Sequence, residues 1–100
     1  MKVVKLSHPN YEYDVHSLVK AFYAEDQVTV ITPETKPEKL AELEPQVSLE
    51  IELAETGAKI RVGEEDFLWD AETENLADGY KNGLKRFLYR TLSKVTGQEL

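Results

Sequence analysis

Val47-Ser48-Leu49-Glu50-Ile51-Glu52-Leu53-Ala54-Glu55-Thr56-Gly57-Ala58-Lys59-Ile60-Arg61-Val62 is the stretch that decides the fold class of this chain. From 47 to 53 apolar and polar residues alternate strictly, which buries one face of a strand and wets the other. Glu55-Thr56-Gly57 supplies a turn, and Lys59-Ile60-Arg61-Val62 returns with the same period of two, so the segment reads as a β-hairpin. Pairing its arms sets Glu50 and Glu52 near Lys59 and Arg61 on the exposed side of a sheet. After a second turn at 63–66, Phe67-Leu68-Trp69-Asp70 reads as a further short strand with Phe67 and Trp69 on one face.

Toward the N-terminus, residues 2–7 form a strand whose apolar content is Val3, Val4 and Leu6, broken by His8-Pro9-Asn10. Asn10 is a good N-cap, and Glu12 and Asp14 suit the positive end of a helix dipole. Val15, Leu18, Val19 and Phe22 follow an i, i+3, i+4, i+7 pattern, which predicts a helix over 11–24 closed by Glu25-Asp26. The β-branched run at 27–32 predicts a second strand. Between Pro33, Pro37 and Pro45 the chain is polar, and Leu40 and Leu43 allow a turn or two of helix in a connecting segment.

The last quarter, residues 77–97, reads as one amphipathic helix. Ala77, Tyr80, Leu84, Phe87, Leu88, Leu92 and Val95 recur at steps of three and four along one stripe. Thr96-Gly97 is a natural stop, because glycine accepts the left-handed conformation there. With three residues beyond it, the helix reads as a connection toward a further segment. The order of elements implies an α+β fold: a mainly antiparallel sheet with two helices packed on one face.

One hundred residues suit one α+β domain over 1–100, with one modest core. No segment is apolar enough to span a membrane, and the opening residues lack the apolar run of a secretory signal. A cytoplasmic location is the expectation. With no cysteine there is no disulfide framework, no thiolate nucleophile and no thiolate-ligated metal. The net charge of −7 argues against general nucleic-acid binding, since such a surface must neutralise phosphates.

Candidate chemistry is sparse. His16 lies four residues after Glu12 on one helical face, two ligands where zinc needs three or four, so an exposed or capping histidine is the better account of His8 and His16. Glu34, Glu38, Glu42 and Glu44 read as a solvated connector, Glu50 and Glu52 as the wet face of a strand, and Asp70, Glu72 and Glu74 as a polar approach to the last helix, where Thr73 or Asn75 would cap. No serine stands in a nucleophile elbow, and there is no phosphate-binding glycine loop. Gly79 and Gly83 share a helical face, which favours a tight internal helix–sheet contact over an intermolecular one. The aromatic residues do not interleave with basic ones as a base-stacking platform requires, so packing is their role.

The feature with functional content is the other face of the last helix. Lys81 and Lys85 form one basic ridge, and Arg86, Arg90 and Lys94 form a second beside it. The pair of ridges offers a site for an anionic ligand, for RNA phosphates or for an acidic partner surface. A solvated face, with cations near the negative end of the dipole, is the competing account.

The same stretch, Asp78-Gly-Tyr-Lys-Asn-Gly-Leu-Lys-Arg-Phe-Leu-Tyr-Arg-Thr-Leu-Ser-Lys-Val-Thr-Gly97, resembles the helix that ends the N-terminal domain of HemZ-type proteins. These are relatives of the oxygen-independent coproporphyrinogen III oxidase (coproporphyrinogen dehydrogenase) in the radical S-adenosylmethionine superfamily. Lys81, Leu84, Lys85, Arg86, Thr96 and Gly97 fit that family's Lys-x-x-(Leu/Ile)-Lys-Arg segment and its Thr-Gly. The resemblance covers about twenty residues, and the Pro-Trp-Gly and Thr-Gly-Ile-Arg-Pro segments that follow in the family are not in this sequence. It implies a non-catalytic N-terminal accessory domain of a longer enzyme. That parent would decarboxylate coproporphyrinogen III oxidatively in haem biosynthesis, with a [4Fe–4S] cluster and S-adenosylmethionine held by a catalytic domain of the same polypeptide. The family's Cys-x-x-x-Cys-x-x-Cys site is absent, so no catalytic residue carries over and no cofactor is expected in this chain. The alternative is a freestanding α+β binding module using the same basic helix for RNA or an acidic partner.

Overall fold

The hairpin forms where the alternation places it: β3 (Val47–Ala54) and β4 (Gly57–Val62) pair antiparallel from Leu49↔Val62 to Ala54↔Gly57. Glu50 faces Arg61 and Glu52 faces Lys59, with Lys59 Nζ 3.5 Å from a Glu52 carboxylate oxygen. In this computed structural model, residues 1–24, 27–71 and 79–98 are described. The polar turn ahead of Phe67 is followed by β5 (Glu65–Asp70), antiparallel to β4. Gly57 is required at this junction, because an added Cβ would fall on the backbone carbonyl of Trp69.

On the other side of β3 the chain is parallel. The first strand, β1 (Lys2–Leu6), pairs with β3 and with β2 (Val28–Ile31), giving the order β2-β1-β3-β4-β5 among the described residues. The α+β expectation holds, with a mixed sheet: the two longer ladders, made by β4, are antiparallel and the two made by β1 are parallel. A parallel pair needs a crossover, and α1 (Glu12–Tyr23) is that crossover between β1 and β2.

Two helices cover one face of the sheet, as the element order implies. Val15, Val19 and Phe22 of α1 and Leu84, Phe87, Leu88 and Leu92 of α3 (Gly79–Thr96) close over Val4, Leu6, Leu49, Ile51, Ile60 and Trp69. Burying such a side chain contributes about 1.5–3 kcal/mol, which is the main reason these elements stay together. The first two residues of the predicted terminal helix, Ala77 and Asp78, the closing pair Glu25-Asp26 and the candidate caps Thr73 and Asn75 lie outside the described residues.

The segment between the prolines is more than a connector. Helix α2 (Pro37–Leu43), extended by a 3-10 turn (Glu44–Gln46), sets Leu40 and Leu43 against Val3, Ile31 and Val47 in a second, small core on the opposite face. A bulge makes this geometry work. Val3 pairs with Val47 but Val4 with Leu49, so Ser48 is the extra residue and Val47 turns away from the face that Leu49 occupies.

Asn10 does not cap α1. The cap position is Tyr11, in the left-handed region at φ 67°, with no side-chain capping bond. A non-glycine residue there costs roughly 1–2 kcal/mol. Its ring packs 5.8 Å from that of Tyr80, at the end of a chain of rings that continues through Trp69 to Phe87. The aromatic contact takes the place of the cap.

Candidate functional site

Helix α3 carries the basic face, and its opposite side is fixed by packing. Gly83, Leu84, Phe87, Leu88, Thr91 and Leu92 are buried, and the basic positions 81, 85, 86, 90 and 94 lie off that packed stripe. Gly83 is thus spent on an internal contact, as the spacing favours, whereas Gly79 is exposed at the helix start with φ 90°. The helix ends as its Thr-Gly predicts. Gly97 adopts φ 72° and its N–H reaches the Ser93 carbonyl at 2.9 Å, while the Thr96 hydroxyl donates to the Leu92 carbonyl.

The basic residues do not form one continuous surface. Lys81 and Lys85 both turn to Asp14 of α1, with Nζ–Oδ distances of 3.6 and 3.8 Å. The Asp14 side chain is only 19% exposed, against 57% and 44% for the lysines. One carboxylate thus sits between two cations and ties the N-terminal half of α3 to the first turn of α1. The spacing of Asp14 in sequence gave no sign of this, because the pairing is between helices.

The C-terminal half differs. Arg86 and Arg90 are exposed and each keeps interactions of its own. The Lys94 ammonium lies 5.7 Å from the centre of the Phe67 ring, a cation–π contact with β5. Tyr89, Arg90, Ser93, Lys94 and Gly97 line a shallow depression of about 690 Å³. The Ser93 hydroxyl in this lining is buried and has no hydrogen-bond partner, and a polar atom in that state costs about 1–3 kcal/mol. The structure therefore places Arg90 and Lys94 along one depression, and sets them apart from Lys81 and Lys85.

Elsewhere several polar side chains are occupied in the fold, while the buried Trp69 indole N–H has no hydrogen-bond partner. The His16 imidazole meets the Val28 carbonyl at 2.9 Å, and His8 Nδ1 accepts from the Asn10 N–H. Among the described residues, no three of the His, Asp and Glu side chains converge to hold a metal. Lys5 pairs with Glu44 at 3.1 Å, and Arg61 grips both oxygens of Asp66 at 2.7 and 3.1 Å. Those hydrogen bonds hold the Asp66 carboxyl below its ordinary range. Glu72 and Glu74, from the acidic group before the last helix, are outside the described residues. No described helix is long and apolar enough to cross a membrane. No family model, no curated protein and no solved structure matches the chain.

Proposed function

We propose that this chain is a non-catalytic accessory domain that presents the C-terminal half of α3 to a carboxylate-bearing substrate or partner. The parent it would serve is a radical S-adenosylmethionine enzyme of the coproporphyrinogen III oxidase type, the setting implied by the resemblance of residues 78–97. The observation that carries the anion reading is the depression at the C-terminal half of α3, lined by Arg90 and Lys94 apart from the lysines tied to Asp14. A carboxylate seated there would meet two cationic side chains at once. The negative end of the α3 dipole works against it, so the affinity expected of the domain alone is modest.

A [4Fe–4S] cluster does not fit this chain, which has no thiolate to hold it. The chemistry of such a parent would belong to another domain, and the residues here would act by binding and steering. Coproporphyrinogen carries four carboxylates, and its oxidised form, coproporphyrin III, is a stable probe. Titration of the chain with coproporphyrin III, followed by quenching of Trp69 fluorescence, tests the reading. Saturable binding that weakens in Arg90→Ala and Lys94→Ala and fails with the tetramethyl ester is expected. Equal binding of acid and ester, or none, overturns it, and binding of an RNA oligonucleotide instead would point to the freestanding module.

A further inference from the structure

The two edges of the sheet are protected by different means. Edge strand β5 carries Glu65, Asp66 and Asp70, and charges along an edge discourage another strand from pairing there. Edge strand β2, Val28-Thr29-Val30-Ile31, has no charge and is wholly β-branched, the composition that pairs most readily. Its protection comes from a side chain of another element.

Backbone phase shows what β2 offers. The Lys2 N–H bonds the Gln27 carbonyl at 3.0 Å, and Lys2 stands opposite Val28. A strand in a parallel pair bonds its neighbour through alternate residues. Thr29 therefore turns both of its backbone groups to β1, while Val28 and Val30 turn theirs away from the sheet. The outward Val28 carbonyl is met by His16 Nε2 at 2.9 Å. A carbonyl only accepts, so Nε2 is the nitrogen that carries the proton. The half-buried imidazole reaches from α1 across the edge and lies where the amide of an added strand would stand.

We infer that His16 is the guard of this edge: bonded to the Val28 carbonyl it keeps β2 unpaired, and without it β2 pairs antiparallel with β2 of a second copy. The register that uses every outward group sets Val28 opposite Val30 of the copy, with Thr29 opposite Thr29 on the two-fold axis. Both Val28 carbonyls take part in that ladder, and they are the groups His16 now holds. Thr29 shares the α2 side of the sheet with Ile31, and there His16, Thr29, Lys39, Glu42 and Leu43 border a depression of about 480 Å³. Lys39 and Glu42 run in opposite order in a copy related by that axis, which brings cation toward acid and makes a second copy the fitting occupant. The net charge of −7 opposes the pairing, so the dimer is weak and depends on salt.

The experiment is sedimentation velocity on the 100-residue chain and its variants, paired with amide hydrogen exchange. A four-residue ladder is small against the ~1,200 Å² of a stable interface, so concentrations run to about 1 mM. The buffer holds about 0.15 M NaCl, where a Debye length of ~8 Å screens the net charge. The native chain is expected to stay monomeric, and so is His16→Gln, whose side-chain amide carries an N–H the same number of bonds from the backbone. His16→Ala is expected to shift to the dimer coefficient, with slowed exchange at the Val28 and Val30 amides. Adding Thr29→Lys or Thr29→Glu to His16→Ala sets like charges opposite each other and restores the monomer, and mixing the two double variants restores the dimer. If His16→Ala does not fold by circular dichroism, His16→Asn, one bond too short for the carbonyl, takes its place. A monomeric His16→Ala, a native chain that dimerises equally well, or a dimer indifferent to charge at Thr29 overturns the proposal.

Discussion

Replacing Asp14 by asparagine isolates the electrostatic tie between α1 and α3. The carboxylate lies 3.6 and 3.8 Å from Lys81 and Lys85, and its side chain is 19% exposed. At about 4 Å two unit charges attract by ~1 kcal/mol even at the dielectric constant of water. Ordering a lysine side chain offsets much of that, which leaves ~0.2–1 kcal/mol for each pair. Without the carboxylate, Lys81 and Lys85 repel each other at i, i+4 by ~0.2–0.5 kcal/mol. Loss of a first-turn acid costs a further ~0.3–1 kcal/mol from the helix dipole. Together these give about 1.5 kcal/mol for Asp14→Asn, or a fall in Tm of ~6–12 °C for a domain of this size. The assay is urea unfolding followed by Trp69 fluorescence in low salt and in 1 M NaCl, where a Debye length of ~3 Å removes most of the effect. Glu12→Gln, an exposed acid in the same first turn, controls for the dipole. A loss below about 0.5 kcal/mol, or one as large in 1 M salt as in low salt, would refute the two-cation account.

Other substitutions test the packing around this tie. Gly57→Ala drives a Cβ into the Trp69 carbonyl, and a loss of about 3 kcal/mol or a failure to fold is expected by chemical denaturation. Leu92→Ala empties a fully buried site under α3 and should cost ~2–5 kcal/mol in the same assay. The Tyr80 hydroxyl donates to the Gly57 carbonyl at 2.7 Å, so Tyr80→Phe should cost ~1 kcal/mol at neutral pH. Burial pushes the Tyr80 hydroxyl's pKa up, against a weaker pull from the Ala54 backbone, and burial raises Tyr23 as well. A phenol raised in the folded state contributes stability that is complete below the unfolded value of 10.0 and is lost as pH climbs through the folded one. The wild-type urea midpoint should therefore fall above pH 10, and Tyr80→Phe should fall less steeply.

Period-two and period-3.6 patterns made the sheet and its two covering helices legible, because their side chains point where the backbone repeat sends them. What stayed hidden depends on contacts between distant segments. Val47 continues the alternation of Leu49 in sequence, and only the bulge at Ser48 reverses it. Leu40 and Leu43 are too few to signal a helix by periodicity, yet Val3 and Ile31 give them a surface to cover. Asn10 has the chemistry of a cap, but Tyr11 holds that position while its ring packs on Tyr80. At the candidate site all five basic residues could be named from the helix alone. Their division could not, because Asp14 lies more than sixty residues earlier in the chain.

That division makes Asp14→Asn informative about function as well as stability. From Lys81 to Lys94 the helix runs thirteen residues, or ~20 Å at 1.5 Å each. A compact tetracarboxylate seated at Arg90 and Lys94 does not extend to Lys81, and Lys85 stands on the other ridge, beside Asp14, so releasing the two lysines should leave its affinity where Glu12→Gln leaves it. A polyanion or an acidic protein surface lying along α3 would compete with Asp14 for both lysines. For that ligand the same variant should bind more tightly while folding less stably. Affinity for coproporphyrin III that rises well above the Glu12→Gln control would mean the ligand spans the whole ridge, and the compact site at Arg90 and Lys94 would have to be given up.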